Sequence, residues 1–176
     1  MRALITIFLV FISILTFGQT KLDTLVFNKV NEYRVSMNLN PLKWDTTCFK
    51  ASEIHTKYLV KTGKVGHTED SLKDPKDRMR VFDKKGKWSI INEVAISTKP
   101  RNIKGTENEV IEKLATDVVE GWKSSKEHNA ALLDSLFIYF SGVSCVVVVK
   151  PSGFKDMKNY RVVATMLIVG GTYRKL

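Results

Sequence analysis

Few residues of this sequence could carry chemistry, because it has only three histidines and two cysteines. His67 follows a Lys-Val-Gly segment just beyond an expected helix end, in a stretch without the apolar periodicity that would bury it. His128 lies at the start of a short expected helix, and Glu93 is an acid flanked by apolar residues, so that it needs a partner if it is buried. Two imidazoles and a carboxylate are a zinc ligand set that leaves a position for water. The separations of 26 residues (67 to 93) and 35 residues (93 to 128) match no local ligand motif.

The third histidine and one serine have structural as well as chemical interpretations. His55 lies on the apolar face of an expected helix, which predicts a packed structural histidine. Ser125 could attack a substrate, with His128 as its base and Glu93 orienting that base. The sequence has no strand-turn nucleophile elbow around Ser125, and serine is a favoured residue at a helix start. We therefore favour the helix cap for Ser125.

Cys48 opens an expected helix and Cys145 lies in a β-rich segment. Both could face one core, where an oxidising compartment would permit a disulfide. Two separate buried thiols, each behaving as a small hydrophobic residue, are the alternative. Two cysteines are too few for a paired-CxxC zinc site or a disulfide-dense scaffold.

The N-terminal segment predicts export. Arg2 precedes an apolar stretch from Ala3 to Phe17, and small residues stand three and one positions before a cut ahead of Gln19. This stretch is shorter than the roughly 20 residues that span a bilayer. We therefore expect residues 1–18 to be a cleaved signal peptide and residues 19–176 to form a single secreted or periplasmic domain with no transmembrane span.

The charge is strongly basic, with 28 Lys plus Arg against 18 Asp plus Glu and a formal net charge of +10. Outside the cytoplasm, lipids, polysaccharides and proteins replace nucleic acid as the expected anionic partners. The basic residues are dispersed along the chain, which is typical of a solvated surface. We expect a monomer with no nucleic-acid partner. A small molecule, a lipid, or an envelope or extracellular protein stays open as the ligand.

The first half of the chain predicts helices. Apolar residues recur with helical period over Leu22–Met37 and over about 48–62, where Thr46 or Thr47 can cap the second helix. Asp74-Pro75 starts a short helical turn through Phe82. A long loop, from Asp83 to Lys104, then contains Glu93.

The second half predicts a helix pair followed by strands. Thr106 and Glu109 have capping-box spacing before a helix that runs to about Trp122, and Ser125 can cap a short helix through Leu133. Two β-rich segments, Leu136 to Val149 and Tyr160 to Val169, are joined by a turn at Pro151-Ser152-Gly153. Helices first and an antiparallel hairpin last indicate an α+β fold.

Several segments together resemble one family. They are, in chain order, Val30-Asn31-Glu32-Tyr33-Arg34, Leu39 to Asp45, Ala51 to His55 with Tyr58, Gly66-His67-Thr68, Asp77-Arg78-Met79, Asn92-Glu93-Val94-Ala95, Gly121-Trp122, Glu127 to Leu133, and Gly142-Val143. Their order resembles the CAP superfamily of cysteine-rich secretory, antigen 5 and pathogenesis-related 1 proteins, also called SCP domains, and its bacterial branch in particular. The resemblance covers roughly Leu22 to Val169.

The resemblance implies a three-layer α–β–α sandwich with a central antiparallel sheet. It also implies a cleft in which two histidines and two glutamates converge and which in some members binds a divalent cation such as zinc. His67 and His128 match the histidine positions and Glu93 matches one glutamate, whereas Ser125 stands at the other glutamate position. The family is known mostly for binding roles, so we expect a binding or interaction module rather than an enzyme. A metal-dependent peptidase or esterase in the same cleft is the first alternative, and a basic module for anionic lipid or glycan is the second.

Overall fold

The computed structural model describes residues 19–85, 88, 90–135, 139–151 and 158–170. The predicted signal peptide and residues 152 and 153 of the predicted turn lie outside these ranges. The described elements are α1 (Lys21–Ser36), β1 (Lys43–Trp44), α2 (Thr46–Thr62), α3 (Pro75–Phe82), β2 (Ile90–Ser97), β3 (Arg101–Asn102), α4 (Glu107–Ser124), α5 (Lys126–Leu133), β4 (Tyr139–Pro151) and β5 (Lys158–Gly170). None of the helices described here is long and apolar enough to cross a membrane.

A mixed sheet is built around the hairpin of β4 and β5, which pair antiparallel from Tyr139 opposite Gly170 to Pro151 opposite Lys158. The strand order is β1-β4-β5-β2, and β3 also pairs with β5. β2 is antiparallel to β5, and β1 is parallel to β4. The predicted closing hairpin is confirmed.

Helices cover both faces of the sheet. Successive strand side chains point to opposite faces, and along β5 Met166 and Ile168 pack with α1, α4 and α5 while Leu167 and Val169 pack with α2 and α3. A Cβ atom added at Gly142 of β4 would lie 2.1 Å from the backbone nitrogen of Phe49, so α2 lies directly on the strand. The predicted α–β–α sandwich is confirmed.

The helix ends follow local capping rules. Thr106 and Glu109 form the predicted capping box at α4, Asp74 accepts from the Asp77 N–H at α3, and Ser125 caps α5. The predicted cap of α2 was wrong. Asp45 occupies that position, because its Oδ1 atom accepts the Cys48 N–H at 2.9 Å.

The prediction of a long loop from Asp83 to Lys104 was also wrong in its middle part. Residues 90–97 form β2, which pairs with β5 along its whole length. Helices cover both faces of β2, so its sequence does not alternate between apolar and polar residues. Asn92 and Glu93 interrupt that apolar run and conceal the strand pattern.

The disulfide that the sequence left open as one alternative is not formed. Cys48 and Cys145 are both free and buried. Cys48 packs with Leu167 on the α2 face, whereas Cys145 packs with the core of α1 and α4 on the other face. The sheet therefore separates the two sulfurs, and two separate buried thiols are found. Burial raises the pKa of each thiol above its ordinary value.

Candidate functional site

The loop after α2 and strand β2 bring His67 and Glu93 together. The Nδ1 atom of His67 lies 3.0 Å from Oε1 of Glu93. Glu93 stands opposite Leu167 in the sheet register and so points to the α2 and α3 face, where its side chain is only 2% exposed. The side chain of His67 is 49% exposed. A buried carboxylate thus holds a histidine that faces solvent.

The buried side chain of Arg78 binds the Glu93 carboxylate from the protein interior. Asp74 and Pro75 fix the start of α3, which places Arg78 one turn into the helix on its buried side. Its Nη2 atom donates to Oε2 of Glu93. Its Nη1 atom donates to the main-chain oxygens of His67 and Leu72, each at 3.3 Å. One guanidinium therefore binds both the Glu93 carboxylate and the loop that carries His67.

His55 and Glu69 extend this arrangement into the interior. His55 is fully buried, as predicted, but its partners are polar: Nδ1 lies 2.8 Å from Oε1 of Glu69, and Nε2 lies 2.7 Å from the Gly66 oxygen. A carbonyl oxygen only accepts hydrogen bonds, so Nε2 carries a proton. Nε2 also lies 3.5 Å from Oε1 of Glu93, and Arg78 lies 3.5 Å from Glu69. We call His55, Glu69, Arg78 and Glu93 the buried charge cluster.

His128 approaches the site from α5. Its ring centroid lies 6.3 Å from that of His67, and the ring planes are inclined at 73°. Ser125 caps α5, because its hydroxyl accepts the backbone N–H of His128 at 3.3 Å and donates to Oε2 of Glu127 at 3.2 Å. The cap that we favoured for Ser125 is confirmed. The alternative nucleophilic relay has no support, since Glu93 orients His67 instead of His128.

Helix α1 fixes α5 from the side. The Tyr33 hydroxyl donates to Oδ1 of Asn129 at 2.9 Å. The Arg34 guanidinium, fully buried, donates to the main-chain oxygens of Leu132 and Asp134 at the end of α5. The position of His128 is therefore set by contacts in the middle of its helix and at the C-terminal end.

The two imidazoles of the site have opposite pKa shifts. The hydrogen bond with Glu93 raises the pKa of His67. Partial burial, followed by the neighbouring charge of His67, lowers the pKa of His128. The hydrogen bond to Glu93 thus favours the protonated form of His67, whereas burial beside His67 favours the neutral form of His128.

Whether these residues fit a divalent cation depends on the donors that are free to bind it. Among residues 19–85, 88, 90–135, 139–151 and 158–170, no three His, Cys, Asp or Glu side chains converge as a metal ligand set. Glu93 is occupied by Arg78. Two imidazoles on one tetrahedral zinc ion, at about 2.1 Å per nitrogen, have ring centroids roughly 5.3 Å apart. The centroids of His67 and His128 lie 6.3 Å apart, so the two rings fit as ligands once they draw about 1 Å closer together.

The sequence interpretation missed Glu69 and Arg78. Both lie in polar stretches, where an acid and a base normally indicate a solvated surface. The Asp77-Arg78-Met79 segment carries part of the family resemblance, but nothing in its sequence marks Arg78 as buried. His55 was found, but its membership of the charge cluster was not.

The comparison with known families assigns the chain. The sequence profile of the cysteine-rich secretory protein family, CAP, matches residues 27–164. The chain belongs to the CAP family. This assignment confirms the resemblance seen in the sequence. Among curated proteins, none matches the sequence significantly.

Two solved structures share the CAP fold of this chain. An outer surface protein from Borrelia burgdorferi aligns with a TM-score of 0.59 at 18% identity, over 88% of this chain and 96% of that protein. An extracellular protein containing an SCP domain, from Bacillus anthracis, aligns with a TM-score of 0.56 at 18% identity. That alignment covers 85% of this chain but 40% of the Bacillus protein. At these identities the likeness concerns the fold.

Proposed function

We propose that this CAP protein is an extracytoplasmic binding module that holds a divalent cation such as zinc between His67 and His128. One observation carries the proposal. Glu93 engages Nδ1 of His67, and the Nε2 atom of that ring has no hydrogen-bond partner in the part of the chain that the structure describes. When the His67 ring is neutral and donates its Nδ1 proton to Glu93, the lone pair on Nε2 is therefore available to a ligand from outside.

The role of Glu93 in this proposal is orientation. Histidines that bind metals commonly donate their second N–H to a carboxylate, which fixes the ring and increases its basicity. The Arg78 guanidinium holds Glu93 in place from within the protein. The buried charge cluster thus supports the site without contributing a ligand, although the sequence suggested Glu93 as one.

A site with two imidazole ligands leaves the remaining coordination positions to solvent or to a bound molecule. A zinc ion held there would supply a Lewis acid that a carboxylate or phosphate group of that molecule could bind. His67 must first lose the proton that Glu93 stabilises. We therefore expect the cation to bind more tightly as the pH rises from 6 to 8.

The extracytoplasmic part of the proposal is supported by the structural neighbours, one an outer surface protein and the other an extracellular protein. The apolar N-terminal segment expected to direct export agrees with it. Measuring the mass of the protein recovered from the culture medium or the periplasm tests this directly. A protein that is found in the cytoplasm and still carries residues 1–18 would contradict the proposal.

The cation site is tested by adding zinc to the metal-free protein while recording the imidazole nitrogens by NMR. We expect the signals of His67 and His128 to shift together, and those of the buried His55 to stay nearly unchanged. His67→Ala and His128→Ala should each weaken binding at least tenfold, whereas Lys126→Ala, an exposed change on the same helix, should not. If neither histidine responds to zinc at millimolar concentration, the proposed cation site is wrong.

A further inference from the structure

The last turn of α3 exposes two neighbouring apolar side chains. Val81 is 46% exposed and Phe82 is 40% exposed. Arg78 and Met79, one turn earlier, are buried against the core, so the helix is fixed in place while its end faces solvent. A single exposed apolar residue is ordinary, but two adjacent ones at a fixed helix end form a small apolar surface.

Basic side chains surround this apolar surface. The Lys50 ammonium, from α2, lies 5.8 Å from the ring centroid of Phe82. Arg80 has a side chain that is 59% exposed, and Lys84 and Lys85 are exposed in the turn that follows α3. We call these six residues the basic-apolar patch: Lys50, Arg80, Val81, Phe82, Lys84 and Lys85.

Acidic neighbours only partly compensate the positive charge of the patch. Asp77 lies 3.6 Å from Arg80 and Asp83 is half-buried between the exposed bases. Four basic residues against two acids leave a local excess of positive charge. Val81 and Phe82 are exposed among these bases, so the patch combines positive charge with apolar surface.

We infer that the basic-apolar patch docks the protein onto an anionic membrane surface. Peripheral membrane binding combines basic side chains, which contact lipid headgroups, with apolar side chains that enter the boundary with the acyl chains. An anionic polysaccharide would engage the lysines and the arginine but would gain little from Val81 and Phe82. The apolar pair therefore favours lipid over glycan.

The basic and the apolar side chains of the patch should contribute separately to membrane binding. Each basic residue close to an anionic surface increases membrane partitioning about fivefold at moderate ionic strength. Lys84→Gln with Lys85→Gln should therefore lower binding to anionic vesicles by about 25-fold. Phe82→Ser with Val81→Ser removes the insertion and should lower binding by about tenfold or more.

The experiment is co-sedimentation of the mature protein with vesicles of phosphatidylglycerol and phosphatidylcholine, compared with pure phosphatidylcholine vesicles. We expect binding to the anionic vesicles only, and we expect it to weaken with salt. Val147→Ser with Val149→Ser is the matched control for the apolar pair, since both valines are exposed on β4 at a different place in the fold. Thermal unfolding of each variant confirms that it is folded.

Two results would overturn the inference. Equal binding to neutral and anionic vesicles, or no binding to either at low salt, would exclude anionic lipid as the partner. Binding to heparin that Lys84→Gln with Lys85→Gln weakens, while Phe82→Ser changes neither heparin nor vesicle binding, would assign the patch to a polyanion instead. His128→Ala should leave vesicle binding unchanged, so the membrane contact and the proposed cation site can fail independently.

Discussion

Replacing Arg78 with methionine tests how far the site depends on the buried charge cluster. The substitution keeps an unbranched side chain of similar reach but removes the charge that Glu93 and Glu69 contact. Both carboxylates are buried, with side-chain exposures of 2% and 5%. Removing one partner of a buried ion pair costs about 3–5 kcal/mol, because it leaves a charge without compensation.

The loss should be measurable as a large decrease in stability. Arg78 also donates to the main-chain oxygens of His67 and Leu72, so the loop that carries His67 loses its anchor as well. For a domain of this size, 3–5 kcal/mol corresponds to a decrease of about 6–20 °C in Tm. Urea unfolding followed by circular dichroism gives the free energy of unfolding directly.

A double-mutant cycle separates the ion pair from simple packing. Glu93→Gln in the Arg78→Met background removes the charge that has lost its partner, so the second change should cost at least 1 kcal/mol less there than in the native protein. Arg80→Met is the matched control on the same helix, since its side chain is exposed, and it should change the free energy of unfolding by less than about 0.5 kcal/mol. Additive effects of the two buried changes, or an Arg78→Met variant as stable as Arg80→Met, would refute the reasoning.

The remaining predictions concern the imidazoles, the thiols and the helix cap. By NMR, His67 should titrate above 6.5 and His128 below it, so the contribution of His67 to stability is complete below pH 6.5 and is lost as the pH rises through its native pKa. Folding lowers the pKa of His128, so this residue instead destabilises the protein as the pH falls below 6.5; the reverse order of titration would contradict both assignments. Without reductant, Cys48 and Cys145 should both be alkylated in denaturant and neither in the native state, and a denatured mass unchanged by alkylation would reveal a disulfide. Ser125→Ala should destabilise the protein by about 1 kcal/mol through loss of the α5 cap, while Ser125→Asp should retain most of that stability.

The elements of this fold that follow local rules could be predicted from the sequence. The capping box at Thr106 and the Asp74-Pro75 start of α3 depend on a few adjacent residues, and both were found. The strand at residues 90–97 depends on its pairing with β5, some 70 positions away in the sheet register. Its two buried faces leave no alternation in the sequence, so the local pattern suggested a loop.

The same distinction between local and long-range information applies to the site residues. His67 could be expected at the surface because its neighbours lack apolar periodicity, and Glu93 could be expected inside because its neighbours are apolar. Nothing local to Arg78 shows that its charge is buried, because an arginine in a polar helix normally faces water. Only the packing of α3 against β2 makes it a partner of Glu93.

The different roles of Glu93 and the two imidazoles follow from which of these groups are buried. A carboxylate that is fully desolvated and paired with a guanidinium gains little from a second cation, so Glu93 acts on His67 by a hydrogen bond and not by sharing a ligand. The side chain of His67 is half-exposed and His128 is partly buried, so the proposed cation would reach both imidazoles without entering the interior. In this chain the buried charge cluster therefore orients His67 from the interior, and the proposed cation would bind at the two imidazoles without contacting that cluster.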